Sequence, residues 1–216
     1  GGAEEGVCAV LPRYVIRAQI EETGGIVPEN LPAGLYLITS DDAGVGAALA
    51  DRLEAEGVRA VELPNDILAN ENKLGFWLSE QAGPVRAVIH LAPMRHATFD
   101  DSVTLADWRE RMERDVKSLF TLLRLTGSDL MSGGRVIAAS AMGGHFARDI
   151  LARPAAGHVF PGGAGNVGLI KALSLEWTQC RCKAIDLDFK DAPQKLAEYL
   201  FRELTLPGGR REIGYT

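Results

Sequence analysis

The chain has few of the features that mark the more specialised protein classes. Across its 216 residues no apolar run approaches the ~20 residues of a membrane span, and no signal peptide is visible. The 23 Lys and Arg are scattered rather than clustered and are outnumbered by 29 Asp and Glu, for a net charge of −6. That balance argues against nucleic acid and anionic membrane surfaces as partners. Only three cysteines are present, and Cys180 and Cys182 stand too close in sequence for an easy disulfide. A reducing cytoplasm is the expected compartment. There is no internal repeat and no low-complexity tract. Apolar residues make up 46% and charged residues 24%, as in an ordinary globular domain.

What is there is a regular alternation. After a half-exposed strand expected at "RYVIRAQI" (13–20) and a Gly/Pro-rich loop (23–34), strands and helices follow one another. Strands are expected at 35–40, 58–64, 85–93, 134–141 and 180–188. Helices are expected at 44–57, at 70–82, over most of 104–131, at 163–178 and at 192–204. Nearly continuous apolar strands separated by helices predict a parallel sheet covered on both faces. The fold class is therefore α/β, a Rossmann-like doubly wound sheet. We expect one Rossmann-like unit over 1–216, comprising the leading strand, a βα core over 34–205 and a C-terminal edge segment over 206–216. A Gly-Gly start without Met and the ending "GGRREIGYT" read as a segment of a longer polypeptide.

The first strand–helix turn, "ITSDDAGVGAALA" (38–50), has the outline of a dinucleotide loop. Such a loop needs glycine for a tight turn, for close approach of backbone to pyrophosphate, and for packing of helix on strand. Gly44 and Gly46 can serve the last two needs. Ser40, Asp41, Asp42 and Ala43 fill the turn itself with Cβ atoms. Each aspartate would repel a phosphate by ~1 kcal/mol or more, and Asp competes for the helix N-terminal N–H groups that would bind it. A helix start capped by its own side chain is expected.

The order of "GLYLITSDDAGVGAALADRL", "VRAVIHLAPM", "RVIAASAMGG", "GLIKALSLEW" and "CRCKAIDLD" resembles the ketoreductase region of a modular type I polyketide synthase. That region belongs to the short-chain dehydrogenase/reductase superfamily, and the likeness covers nearly the whole chain. It is built from two Rossmann-like halves, a structural subdomain without cofactor and a catalytic one that carries NADPH. The turn with Asp in place of Gly resembles the structural half. The resemblance implies that Thr39, Ser40, Gly44, Gly46 and Glu62 are vestigial cofactor positions. It also implies that Lys117, Ser140 and Asn166 are vestigial catalytic ones.

The superfamily's chemistry requires a Tyr to protonate the carbonyl oxygen, a Ser to hydrogen-bond it and a Lys to lower the Tyr pKa. Ser140 ends the fourth strand and Lys117 lies on the preceding helix, each a weak match. Asn166 stands where the tyrosine should be, and Ile170 where its partner would be. Lys171 is one residue further on, turned ~100° around the helix. None of Tyr14, Tyr36, Tyr199 or Tyr215 lies in that helix. Pro93 and Met94 in "HLAPM" fill space that a small turn would leave open. Glu62 suits an NAD ribose rather than NADPH, and "ELPND" offers no base.

His90 reads as a satisfied structural residue, and packing accounts for "CRC" better than redox chemistry. His96, His145 and His158 show no metal-ligand spacing.

The expected function is a non-catalytic structural subdomain that supports a catalytic ketoreductase half and helps to hold an acyl-carrier-bound substrate. No cofactor is expected. The rivals are an active NADPH-dependent β-ketoacyl reductase using Ser140 and Lys117, a free-standing docking protein, and a scaffold beside another modifying domain. The expected partners are neighbouring domains of the same synthase and an acyl carrier protein.

Overall fold

The computed structural model describes residues 18–22, 25–95, 102–148 and 160–216. Six parallel strands form one sheet: β1 (Leu35–Thr39), β2 (Arg59–Leu63), β3 (Val85–His90), β4 (Arg135–Ser140), β5 (Arg181–Asp186) and β6 (Glu212–Gly214). Their order is β2-β1-β3-β4-β5-β6. The chain runs outward from β1 to β2, crosses back to β3 and continues the other way. The switch point of this doubly wound sheet therefore lies between β1 and β3.

Burial follows from strand position. In β1 and β4 every residue is buried, as expected for central strands covered on both faces. The edge strand β2 instead buries only Ala60 and Leu63, while Arg59 and Glu62 face solvent. On one face, α1 (Val45–Ala55) places Val45, Leu49 and Leu53 against Leu196, Leu200 and Leu204 of α7 (Pro193–Thr205). Spacings of four residues put each trio on one side of its helix. The other face carries α3 (Glu71–Ser79), α5 (Ser118–Leu130) and α6 (Gly163–Glu176), which bury Leu74, Leu119, Leu122 and Ile170.

The helix expected at 70–82 forms as α3, its start capped by the Asn70 side chain, which accepts from Lys73 N at 3.1 Å; a short α2 (Asn65–Leu68) that was not expected precedes it. The long helix at 104–131 begins with a Thr104–Asp107 capping box on α4 (Leu105–Met112), then passes through a five-residue π-helical turn, Glu113–Lys117, into α5. The carbonyl of Asp115 inside this turn is taken by two side chains, His90 Nε2 at 2.9 Å and Asn166 Nδ2 at 2.7 Å. A carbonyl drawn toward donors outside the helix leaves the regular ladder, a recognised cause of such bulges.

Of the expected leading strand, residues 13–17 lie outside the described residues; 18–20 are exposed and not in a strand. Strand β6 is fixed to the body by Tyr215, which stacks on Tyr199 at 4.1 Å and donates to Glu203 Oε1 at 2.7 Å. Glu203 also holds the buried ammonium of Lys183 at 2.8 Å.

Candidate cofactor crevice

The crevice at the carboxyl end of β1 and β3 is where this architecture binds ligands. Its centre is Asp41. Asp41 Oδ1 accepts from Ala43 N at 2.7 Å and Val45 N at 3.1 Å, and Oδ2 accepts from Gly46 N at 2.7 Å. These N–H groups at the start of α1 are the ones that would face a phosphate. Gly46 leaves the room: a Cβ there would stand 3.1 Å from Asp41 Oδ2 and 3.4 Å from Ile38 Cγ2. Gly44, in the left-handed conformation at φ 79°, begins the helix without a side-chain cap of its own.

The mouth between β1 and β3 is laced shut. The buried Thr39 Oγ1 accepts from Leu91 N at 2.8 Å and Ala92 N at 3.0 Å, and lies 3.3 Å from His90 Nδ1. Because Asp115 O can only accept, His90 carries its proton on Nε2, and the Thr39 hydroxyl donates to Nδ1. Every polar atom of the imidazole is thus paired. Burial lowers the His90 pKa to about 4, only partly offset by the bond to the Asp115 carbonyl. Ser40 Oγ donates to Leu63 O at 3.0 Å, tying β1 to β2. Leu91, Ala92 and Met94 are wholly buried in the turn after β3 and Pro93 is half-buried, so this turn is filled by side chains.

A second carboxylate fills the end of β4 and β5. Asp186 Oδ1 accepts from Ser140 Oγ and from Met142 N, each at 2.7 Å, and Oδ2 accepts from Phe146 N at 2.8 Å. Such a concave set of N–H groups in a tight loop is an anion nest. Phe146 and Ala147 have φ of 52° and 55°, a left-handed backbone that non-glycine residues seldom adopt. Gly144 must remain Gly, since a Cβ there would overlap Tyr215 O. Burial raises the pKa of Asp186 even though its hydrogen bonds act in the opposite direction.

The remaining sequence candidates separate. Asn166 is buried on α6; its amide is spent on Asp115 O, and its Oδ1 has no hydrogen-bond partner in the structure. Lys117 is exposed and pairs with Glu113 one turn back. Lys171 reaches outward to Glu212 Oε1 at 2.7 Å, as the ~100° offset predicts. Glu62 is exposed on β2. Three tyrosines bond away from Ser140: Tyr36 to Pro32 O at 3.1 Å, Tyr199 to Asp191 at 3.4 Å, and Tyr215 to Glu203. Tyr14, His96 and His158 lie outside the described residues.

The structure therefore brings together Thr39, Ser40, Gly44 and Gly46, and joins Asn166 to His90 through one carbonyl. It does not bring Lys117 to Ser140 as a catalytic pair. Sequence reading missed Asp186; the signal was an acidic residue ending the apolar run of "KAID". Among the described residues, no group of three or more His, Cys, Asp or Glu is placed to hold a metal, and no helix is long and apolar enough to cross a membrane.

The fold is that of the short-chain dehydrogenases/reductases, as solved structures show. One is a dehydrogenase/reductase from Sinorhizobium meliloti, with TM-score 0.67 and 19% identity, covering 85% of this chain and 94% of that one. Another is a short-chain dehydrogenase/reductase from Brucella melitensis, with TM-score 0.66 and 14% identity over 86% and 95%. A third is an alcohol dehydrogenase from the archaeon Thermococcus sibiricus in complex with 5-hydroxy-NADP, with TM-score 0.59 and 17% identity over 83% and 95%. No family model and no curated protein matches the sequence.

Proposed function

We propose that the chain is a non-catalytic, Rossmann-like structural subdomain of a polyketide synthase ketoreductase region. In this reading it binds no NADPH and supports a neighbouring catalytic half in the cytoplasm. That half, other modifying domains of the synthase and an acyl carrier protein are its partners.

The observation that carries this reading is the Asp41 carboxylate seated on Ala43, Val45 and Gly46 N–H. A pyrophosphate entering there would have to displace a bound anion from its donors while meeting its charge. These residues do not fit a dinucleotide. The chemistry points the same way: carbonyl reduction needs a proton donor, and Asn166, in the tyrosine's place, has no acidic proton to give and spends its amide on Asp115 O. Ser140 already donates its proton to Asp186. What this chain's residues do is hold the end of the sheet rigid with two internal anions.

Titration of the isolated chain with NADPH, followed by nicotinamide fluorescence, tests the reading. It requires no saturable binding up to about 1 mM, an affinity worth only ~4 kcal/mol. Micromolar binding would refute it.

A further inference from the structure

The second feature of chemical interest lies at the opposite end of the sheet, and it stands independently of the reading above. Cys180 and Cys182 are both free thiols, about 6% and 5% exposed. On a regular strand, residues two apart are separated by roughly 6.6 Å along the chain. Here the sulfurs approach to 3.8 Å. The cause is local: Cys180 precedes β5 in the turn after α6, where its N–H bonds to Trp177 O at 2.8 Å, while Cys182 is in β5 itself. The bend folds one thiol back over the other. Sequence spacing alone argues against a disulfide at this position, and the turn removes that objection.

We infer that Cys180 and Cys182 form a reversible redox pair, closed to an intrachain disulfide by hydrogen peroxide. The two thiols are not equivalent. A hydrogen bond from Cys180 and the charge of Arg211 hold the Cys182 thiol below its ordinary range, whereas the neighbouring sulfur and burial push Cys180 up. Cys182 is accordingly the attacking sulfur. Its thiolate attacks the O–O bond of the peroxide; an S–O bond forms, the O–O bond breaks, and hydroxide leaves to take up the thiol's proton as water. The Cys180 thiol then attacks the sulfenic sulfur. The S–S bond forms, the S–O bond breaks, and a second water carries away the Cys180 proton. Two thiols lose two hydrogens and one hydrogen peroxide becomes two waters.

Closing the sulfurs from 3.8 Å to about 2.05 Å tightens the turn onto β5 around Arg181. That residue's N–H bonds to Gly134 O at 3.0 Å, and its guanidinium pairs with Glu29 of the incoming segment.

The test uses the full chain with Cys8→Ser, treated when folded with hydrogen peroxide and followed by intact-mass and peptide mass spectrometry. The expected result is loss of two hydrogens in the peptide spanning 180–182, restored by dithiothreitol. A Cys180→Ser variant should halt at a sulfenic acid on Cys182 that dimedone traps. Gain of oxygen without loss of two hydrogens in the Cys8→Ser chain would overturn the inference. Reaction only after unfolding in urea would overturn it equally.

Discussion

His90 offers a quantitative test of the crevice as a closed structural element. The imidazole is fully buried, neutral and doubly bonded, with a pKa lowered to about 4 from 6.5. A depressed folded pKa means that the contribution is complete above the unfolded value of 6.5 and is lost as the pH falls toward 4. The gap, at 1.36 kcal/mol for each pH unit, amounts to about 3 kcal/mol. In urea unfolding of the wild type between pH 7.5 and pH 4, His90 should contribute a loss on that scale to the net change. In His90→Gln the amide can still donate to Asp115 O but cannot titrate. That variant should start lower at pH 7, by about 1–3 kcal/mol for the unpaired Thr39 hydroxyl and the imperfect fit. Its pH profile over the same window should be flatter by the same ~3 kcal/mol. Asp115 and Asp186 have raised pKa values and act in the opposite direction, gaining stability as they protonate. They are common to both proteins, so the difference between the two profiles isolates His90. Parallel profiles would refute the assignment of a buried neutral imidazole.

Three further outcomes follow from the geometry. Asp186→Asn keeps the size of the side chain but turns an NH2 group toward backbone N–H donors, so it should cost about 2–4 kcal/mol in denaturant melts; an unchanged midpoint would remove the anion nest from the account. Ser140→Ala should cost about 1.5–3 kcal/mol through its bond to a charged acceptor, and Lys117→Ala less than about 0.5 kcal/mol. Under the proposed function, neither should reduce ketoreduction per folded molecule of the synthase, and a tenfold loss of turnover with folding intact would contradict that proposal. Replacing Ser40, Asp41 and Asp42 together by Gly should create no NADPH oxidation, because Asn166 still supplies no proton; measurable turnover would overturn the placement of Asn166.

Much of the fold was legible because the central strands bury every residue and read as unbroken apolar runs. The edge strand β2 was legible through its lone charged residues, and α1 and α7 through four-residue spacing. The role of Asp41 could also be read, since an acidic side chain just before a helix seeks its free N–H groups. The π turn could not. It depends on His90 and Asn166, distant in sequence, meeting one carbonyl, and no local pattern encodes that meeting. Asp186 escaped notice for a similar reason. Its partners Ser140, Met142 and Phe146 become neighbours only when β4 and β5 align Ser140 with Asp186. The start of α3 was legible, since the helix expected from residue 70 begins where the Asn70 side chain caps it, whereas the four-residue α2 before it is too short to carry a periodic pattern.

Asp41 already occupies the anion site at the start of α1. The most direct measurement is a paired titration of wild type and Asp41→Gly with NADPH, read by nicotinamide fluorescence and checked by calorimetry. The wild type should show no saturable binding up to about 1 mM, and Asp41→Gly should bind no more weakly than the wild type. Micromolar binding by the wild type, with Asp41→Gly weaker, would contradict this and make the aspartate part of a working cofactor loop.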